Sequence, residues 1–429
     1  MNSSFNYRSR TFLVLWMVSF ILSFSTGLVP TPRAYLTSAF AGNVEATTLE
    51  ALGTMISLGF AAQTIGYFAG GFLADVAGRR RIIATSFIVL AADCGRFAEA
   101  PNLYIMYAAS FIEFFAAGLS SPAISALVAD CSEQSSRGMA YGTFNISWVS
   151  AGVIAPLLAG ILAQYVNLRT PFVLASSLSV AGVFLTFLMK SKSAEKSLDR
   201  KTTDENPEKK ASFQGSSLGR IILMFSAANF LNGMLNGFIS PVLNGMLLFK
   251  FSAAPAEYGL VLSLSSSLIT GLVQLPGGRL TDKFGRKPLV LFSFLGAPLV
   301  ALLGFSQSLL DFSLIMGGIS AVGNISSPAI SAWLMDLVPE QKRASVSGIT
   351  QTLNGIGLTA GPNAGSYVWN STKPNAVASC GVAALIFAAS LPFYLMLKEP
   401  TKEPTRSENT LAEKTKDSVN PESSAHACS

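Results

Sequence analysis

Twelve stretches of about twenty mostly apolar residues, each long enough to cross a bilayer as a helix, recur along this chain and leave it few possible folds. They are residues 12–32, 52–74, 82–99, 103–129, 138–166, 171–189, 218–249, 258–277, 289–306, 312–337, 344–368 and 376–397. Lipid offers no hydrogen bonds, so a spanning segment has to satisfy its own backbone, and a helix does so internally. Only 13% of residues are charged while 50% are hydrophobic; soluble domains carry roughly a quarter charged. The expected fold is all-α and integral to a membrane, with twelve transmembrane helices in two six-helix bundles, residues 1–189 and 218–397. Between them, residues 190–217 are rich in Lys, Glu, Asp and Ser and read as a cytoplasmic linker. Residues 398–429 read as a disordered cytoplasmic tail. The apolar run after Arg8 and Arg10 lacks a small-residue cleavage site and begins a series of similar runs, so it reads as a retained first span.

Charge fixes the expected orientation. All but five of the 30 basic residues (Arg33, Arg96, Arg169, Lys250 and Lys373) fall on one side if both termini are cytoplasmic. This placement accounts for the net charge of +6 without a nucleic-acid partner. The cell membrane is the expected location, with lipid as surroundings and a monomer as the working unit. Cys94, Cys131, Cys380 and Cys428 follow no metal-ligand spacing, and no disulfide, metal or cofactor is expected. The single histidine, His426, lies in the tail, so no imidazole is available within a span. No Walker-type phosphate loop, nucleophile-elbow serine or HExxH motif is present, which argues against an enzyme.

The two halves repeat. Ser120-Ser121-Pro122-Ala123-Ile124-Ser125-Ala126 recurs letter for letter as Ser326-Ser327-Pro328-Ala329-Ile330-Ser331-Ala332. At the same spacing Asp130 meets Asp336, Arg137 meets Arg343, Gly142 meets Gly348 and Pro156 meets Pro362. A direct repeat of six spans implies bundles related by an axis along the membrane normal, able to rock about a site between them.

Two loops carry a more specific signal. Gly71-Phe72-Leu73-Ala74-Asp75-Val76-Ala77-Gly78-Arg79-Arg80-Arg81 joins spans two and three; Gly278-Arg279-Leu280-Thr281-Asp282-Lys283-Phe284-Gly285-Arg286-Lys287 joins spans eight and nine. Gly71 and Gly278 are expected to let helices approach closely, and Gly78 and Gly285 to permit tight turns. Both loops closely resemble the signature loop of the major facilitator superfamily, and the resemblance covers the whole spanning region. It implies two conformational gating groups, Asp75, Arg79 and Asp130 in one half and Asp282, Arg286 and Asp336 in the other, with Arg137 and Arg343 alongside. Span five (Ala151, Ala155-Pro156, Ala159-Gly160) and span eleven (Gly357, Gly361-Pro362, Gly365) look like the family's proline–glycine antiporter motif. Small residues and proline also serve helix packing and kinks. The arginine that the family often carries in span four is replaced by Ser110.

Ionisable residues deep in lipid are costly and call for a reason. At about 1.5 Å per residue, Asp93 lies roughly 16 Å into span three and Glu113 about 15 Å into span four. Arg96, one turn from Asp93, is expected close to both carboxylates. The resemblance places span four on the central cavity, which makes Glu113 the first candidate for coupling to a proton or another ion; the alternative is a static pair with Arg96. The second half has Ile319 and Leu299 at the matching positions. It offers amides instead: Asn229, Asn232, Asn236, Asn324, Gln351 and Asn354, with Asn145 and Trp148 as their counterparts in span five. These could bond a small-molecule substrate or link helices. Phe24, Tyr107, Phe111, Phe144, Trp148 and Trp333 could form an apolar wall. The leading expectation is a secondary active transporter working by alternating access, exporting amphipathic compounds against inward proton flow. Uptake of a polar nutrient such as a sugar or organic acid, by symport or uniport, is the alternative, and a non-transporting sensor of the same fold is the second.

Overall fold

The computed structural model describes residues 10–130, 137–189, 215–338, 343–372 and 375–397, which form twelve helical rods and no strand. The first six are α1 (Arg10–Gly27, resuming as Pro30–Phe40), α2 (Glu45–Leu73), α3 (Arg79–Glu99), α4 (Leu103–Asp130), α5 (Arg137–Tyr165) and α6 (Thr170–Phe187). In the second half, α7 is Gly215–Gly245 with a π turn at Met246–Lys250, and α8 runs Pro255–Val261, a π turn Leu262–Leu268, then Ile269–Phe284. They are followed by α9 (Arg286–Ser293 and Gly296–Leu303), α10 (Leu309–Ile325 and Ser327–Leu337), α11 (Arg343–Ser371) and α12 (Ala376–Ala389 and Leu391–Leu395). Of the expected linker 190–217, residues 190–214 lie outside the described residues, as does the tail from 398, while residues 215–217 open α7.

The first rod corrects the sequence reading, which ended it at Pro32. Prolines at the start of a helix cost no hydrogen bond, because the first-turn N–H groups have no partner in any case. The chain bends at Val29, passes Pro30 and Pro32, and regains the ladder when the Arg33 amide donates to the Val29 carbonyl at 3.0 Å. The helix therefore continues to Phe40 and carries Arg33 inside it.

Neighbour relations repeat between the halves. α1 packs on α5 as α7 packs on α11; α2 on α4 as α8 on α10; α3 on α6 as α9 on α12. The two lobes meet along α2–α11 and α5–α8. At the end opposite the Arg79–Arg81 loop, one apolar cluster joins both lobes, with Ala34, Leu49 and Leu52 against Phe238, Val242 and Trp369. At the basic end the apolar clusters stay within one lobe each, around Phe87 in the first and Trp333 in the second. Hydrogen bonds reinforce the closed end. Trp369 Nε1 donates to Glu45 Oε1 at 2.9 Å, Ser366 Oγ to the Leu49 carbonyl at 2.8 Å, and Asn370 Nδ2 to the Ala46 carbonyl at 3.1 Å. Tyr35 Oη donates to the Ala253 carbonyl, and the Ala256 amide to Gln164 Oε1 at 3.0 Å.

Small residues make these contacts possible. A Cβ at Gly361 would stand 2.6 Å from the Phe238 nitrogen, and one at Gly357 2.7 Å from the Met234 nitrogen, so α11 lies backbone to backbone on α7. Gly365 continues the row against Pro241. In α5, Gly160 meets the first turn of α8 across the lobe boundary, where an added Cβ would stand 3.0 Å from the Ala256 Cα. Gly71 behaves differently from the sequence reading: a Cβ there would meet nothing within 4 Å, because α2 has no close neighbour at that point of the basic end. Overpacking an interface of this kind costs about 1–3 kcal/mol or more. Gly361→Val is expected to lower the Tm of detergent-solubilised protein, whereas Gly71→Ala should leave it unchanged or raise stability by up to about 1 kcal/mol.

Candidate functional site

Arg33 is brought into the first lobe by the continuation of α1 beyond its prolines. Its Nη1 lies 3.0 Å from Glu113 Oε2 on α4, an ion pair between two spans. Both residues are almost wholly buried, at 7% and 4% exposure. The guanidinium also lies 5.5 Å from the centre of the Phe114 ring, which packs edge-on to Phe60 of α2. A buried pair of this kind holds only while both members are present, because removing either leaves an uncompensated charge.

The expected partnership of Glu113 with Arg96 is not found. Asp93 is buried at 1% exposure while Arg96 is exposed. Three residues advance a helix by about 300°, so Arg96 lies some 60° off the Asp93 face and turns away from the bundle. Glu113 takes its cation from α1, a residue that sequence reasoning had left at the helix end. Asp93 itself has no hydrogen-bond partner for either carboxyl oxygen. It sits beside buried Cys94, a free thiol.

Below the pair, α1, α5 and α8 enclose a cavity of about 300 Å³ lined by Thr26, Pro30, Trp148, Ser266, Ser267 and Thr270 among others. Trp148 is thus on the cavity. Trp333 is not: it is fully buried inside the second lobe, against Phe225 and Tyr394. The amides divide. Asn324 Nδ2 donates to Thr270 Oγ1 at 3.1 Å, linking α10 to α8, and Asn354 Nδ2 donates to the Asn229 carbonyl at 3.0 Å, linking α11 to α7. Asn229 and Asn236 donate to carbonyls one turn back on their own helix, and Asn236 also to Asn232 Oδ1 at 2.6 Å. Asn145 and Gln351 are exposed and spend no hydrogen bond on the protein.

At the basic end, Gly78 and Gly285 take φ of 92° and 90°, a backbone that favours glycine. Asp75 lies exposed in the π turn Ala74–Gly78, and Arg79 Nη1 reaches the Ala126 carbonyl of α4 at 3.4 Å, one turn before Asp130. The side chains of Asp130, Arg137, Asp282, Asp336 and Arg343, and the surroundings of Gly278, fall outside the described residues. A matched pair of contacts escaped the sequence reading. Arg80 Nη2 donates to the Phe187 carbonyl at 2.7 Å, and Lys287 Nζ to the Leu395 and Leu397 carbonyls at 2.9 and 2.8 Å. In each lobe a loop cation thus caps the end of the neighbouring helix, α6 or α12.

This geometry is that of a known group of proteins. The Major Facilitator Superfamily model matches residues 11–228 and again 225–421, once per half. The chain belongs to the major facilitator superfamily. The superfamily consists of transporters rather than enzymes, and this member is an integral membrane protein of twelve transmembrane helices in two pseudo-symmetric bundles. A multi-drug resistance efflux pump PmrA homolog of Lactococcus lactis is 24% identical over 373 residues, 84% of this chain and 88% of that one. The multidrug resistance protein MdtG of Serratia proteamaculans is 22% identical over 399 residues, covering 92% and 95%. Among solved structures, a D-xylose–proton symporter superposes with a TM-score of 0.75 at 14% identity, covering 91% of this chain and 98% of that one. A bacterial homolog of the human lysosomal transporter Spinster, inward-facing and unoccupied, superposes with a TM-score of 0.71, also at 14% identity and covering 92% and 97%.

The buried pair gives a stability prediction within this fold. Arg33→Leu or Glu113→Leu alone should destabilise the solubilised protein by about 3–5 kcal/mol, and the double substitution should recover most of the loss. Thermal melting of the three variants measures the coupling; additive losses would show that the two side chains do not depend on each other.

Proposed function

We propose that this transporter exports amphipathic organic compounds in exchange for protons, from a cell membrane with both termini cytoplasmic, acting as a monomer. The observation that carries the reading is the buried Arg33–Glu113 pair one turn above the cavity. A proton arriving at Glu113 neutralises the carboxylate and frees Arg33 from its counter-charge. The free energy of the lobe then depends on whether a proton is bound, and this is the requirement for coupling. The charged and titratable groups bearing on the pair are Asp93 and Cys94 of α3, Arg96 by way of Asp93, and Tyr258 of α8, which senses Arg33. The multidrug-resistance relatives support export, and the lysine–arginine bias supports placing the basic end, where each lobe keeps its own core, in the cytoplasm.

Gating in this reading has two parts. The Glu45–Trp369 and Leu49–Ser366 contacts hold the outer end shut in the inward-open form. Asp75, Arg79 and Asp130, with Asp282, Arg286 and Asp336, hold the inner end shut in the outward-open form. Uptake of a polar nutrient is the second reading, supported by the hydroxyls of Thr26, Ser266, Ser267 and Thr270 around the cavity.

Two measurements test the proposal. In proteoliposomes holding the full chain, Glu113→Gln should reduce transport driven by a pH gradient at least tenfold while sparing solute-for-solute exchange. Undiminished gradient-driven transport in Glu113→Gln would exclude the coupling role, and accumulation that follows the proton flow would favour the uptake reading. Thr54 Oγ1 lies 3.4 Å from Asn363 Oδ1 across the lobe boundary. Oxidation of Thr54→Cys with Asn363→Cys should stop transport and dithiothreitol should restore it.

A further inference from the structure

The spans hold two carboxylates away from their ends, Asp93 and Glu113. Neither is available to a solute in the cavity. Asp93 is on α3, which packs on α4 and α6 away from the lobe boundary, and Glu113 is engaged by Arg33. What the cavity does offer is hydroxyl oxygen and apolar surface. Thr26 Oγ1 donates to the Leu22 carbonyl at 3.1 Å and Thr270 Oγ1 receives the Asn324 amide at 3.1 Å, so each is oriented by the protein. The hydroxyls of Ser23, Ser266 and Ser267 spend no hydrogen bond within the protein and can both donate and accept. The π turn Leu262–Leu268 sets Ser266 and Ser267, adjacent in sequence, on the same cavity; such turns often mark functional sites. Trp148, exposed at 56%, supplies a ring face beside them.

From this charge inventory we propose that the exported solute is an uncharged amphipathic molecule, with polar oxygen or nitrogen groups for the serines and an apolar ring for Trp148, and not an organic cation. The inference rests on the export reading and narrows it. A cation entering this site leaves water without meeting a counter-charge. A neutral solute does not meet this penalty. One electrical consequence follows. Exchange of one proton for one neutral molecule moves one positive charge per cycle, so membrane potential alone drives transport at equal pH. One-for-one exchange with a monovalent cation is electroneutral and does not respond. About 60 mV across the membrane then shifts the steady-state solute ratio tenfold.

The test uses full-chain proteoliposomes in which valinomycin and potassium set the potential. Chloramphenicol, florfenicol and linezolid serve as neutral probes, ethidium and tetraphenylphosphonium as permanent cations. The expected result is movement of neutral probes that follows the potential at equal pH, with both cations excluded. Transport of either cation by the wild-type protein, or neutral transport indifferent to potential, overturns the inference while leaving export standing. Failure of every probe to move even under an imposed pH gradient removes the export reading itself. Ser266→Asp adds a second arm by placing a carboxylate in the cavity. Acquired ethidium transport supports charge as the discriminating property, and continued exclusion of ethidium with chloramphenicol transport retained counts against it.

Discussion

An ion pair surrounded by protein in a bilayer is held in place by the lack of any better alternative. Water is the usual competitor for a guanidinium or a carboxylate, and around Arg33 and Glu113 there is almost none to compete. The two groups are therefore each other's solvation, and the helices that carry them, α1 and α4, are tied to a common geometry. Such a pair is a poor source of net stability, since desolvation offsets most of its attraction. Its value lies in sensitivity. A single proton converts a neutral site into a cationic one, and the surrounding apolar shell of Phe114, Phe60 and the α2 backbone cannot absorb the change unnoticed.

The two ends of the molecule answer that sensitivity with different materials. The closed end is built mainly from uncharged groups: glycine against backbone, alanine and leucine against tryptophan, and hydroxyl or amide donors to carbonyls, with the Glu45 carboxylate accepting from the Trp369 indole. Contacts between the uncharged groups reform readily and leave no charge exposed when parted. The basic end is built from arginine, lysine and aspartate around two left-handed glycines. Charges there are solvated when the lobes separate, and Arg80 and Lys287 keep each lobe's helix ends in order whether or not the lobes touch. In the proposed alternating access, rocking exchanges a dry contact at one end for a wet one at the other.

Much of this was legible in the chain. Hydropathy set the spans, and the exact recurrence of Ser120–Ala126 required lobes of like topology. Depth arithmetic placed Glu113 near the middle of α4, and the structure buries it. What failed was local. The span read from hydropathy, 12–32, stops one residue short of Arg33: a proline in the first turn of a helix forfeits no bond, so α1 continues to Phe40 and carries Arg33 inside it. Arg96 was assigned by residue spacing alone, although i and i+3 are 60° apart and that angle decides between core and surface. Gly71 and Gly361 look alike in sequence; only the position of a neighbouring helix distinguishes open space from backbone contact. The amides of α7, α10 and α11 could not be divided between solute and protein without knowing which carbonyls lay within reach.

The halves also differ where their common ancestry would predict likeness. Glu113 of α4 corresponds to Ile319 of α10, and the first lobe keeps a titratable pair in its interior that this position of the second lobe does not match. The second lobe contributes the π turn of α8, with its serines, and the amide links that stiffen α7, α10 and α11. In the proposed mechanism proton and solute are sensed mainly by different lobes, the solute at the cavity where α1 and α5 meet α8. Coupling between them does not require the two ligands to touch. It requires only that α1, which carries Arg33 one turn above the cavity wall at Pro30, hold one position when Glu113 is charged and another when it is not. Since α1 belongs to both the ion pair and the cavity, a shift at its proline bend changes both sites together, and the outer contact of Tyr35 with Ala253 lies on the same half-helix.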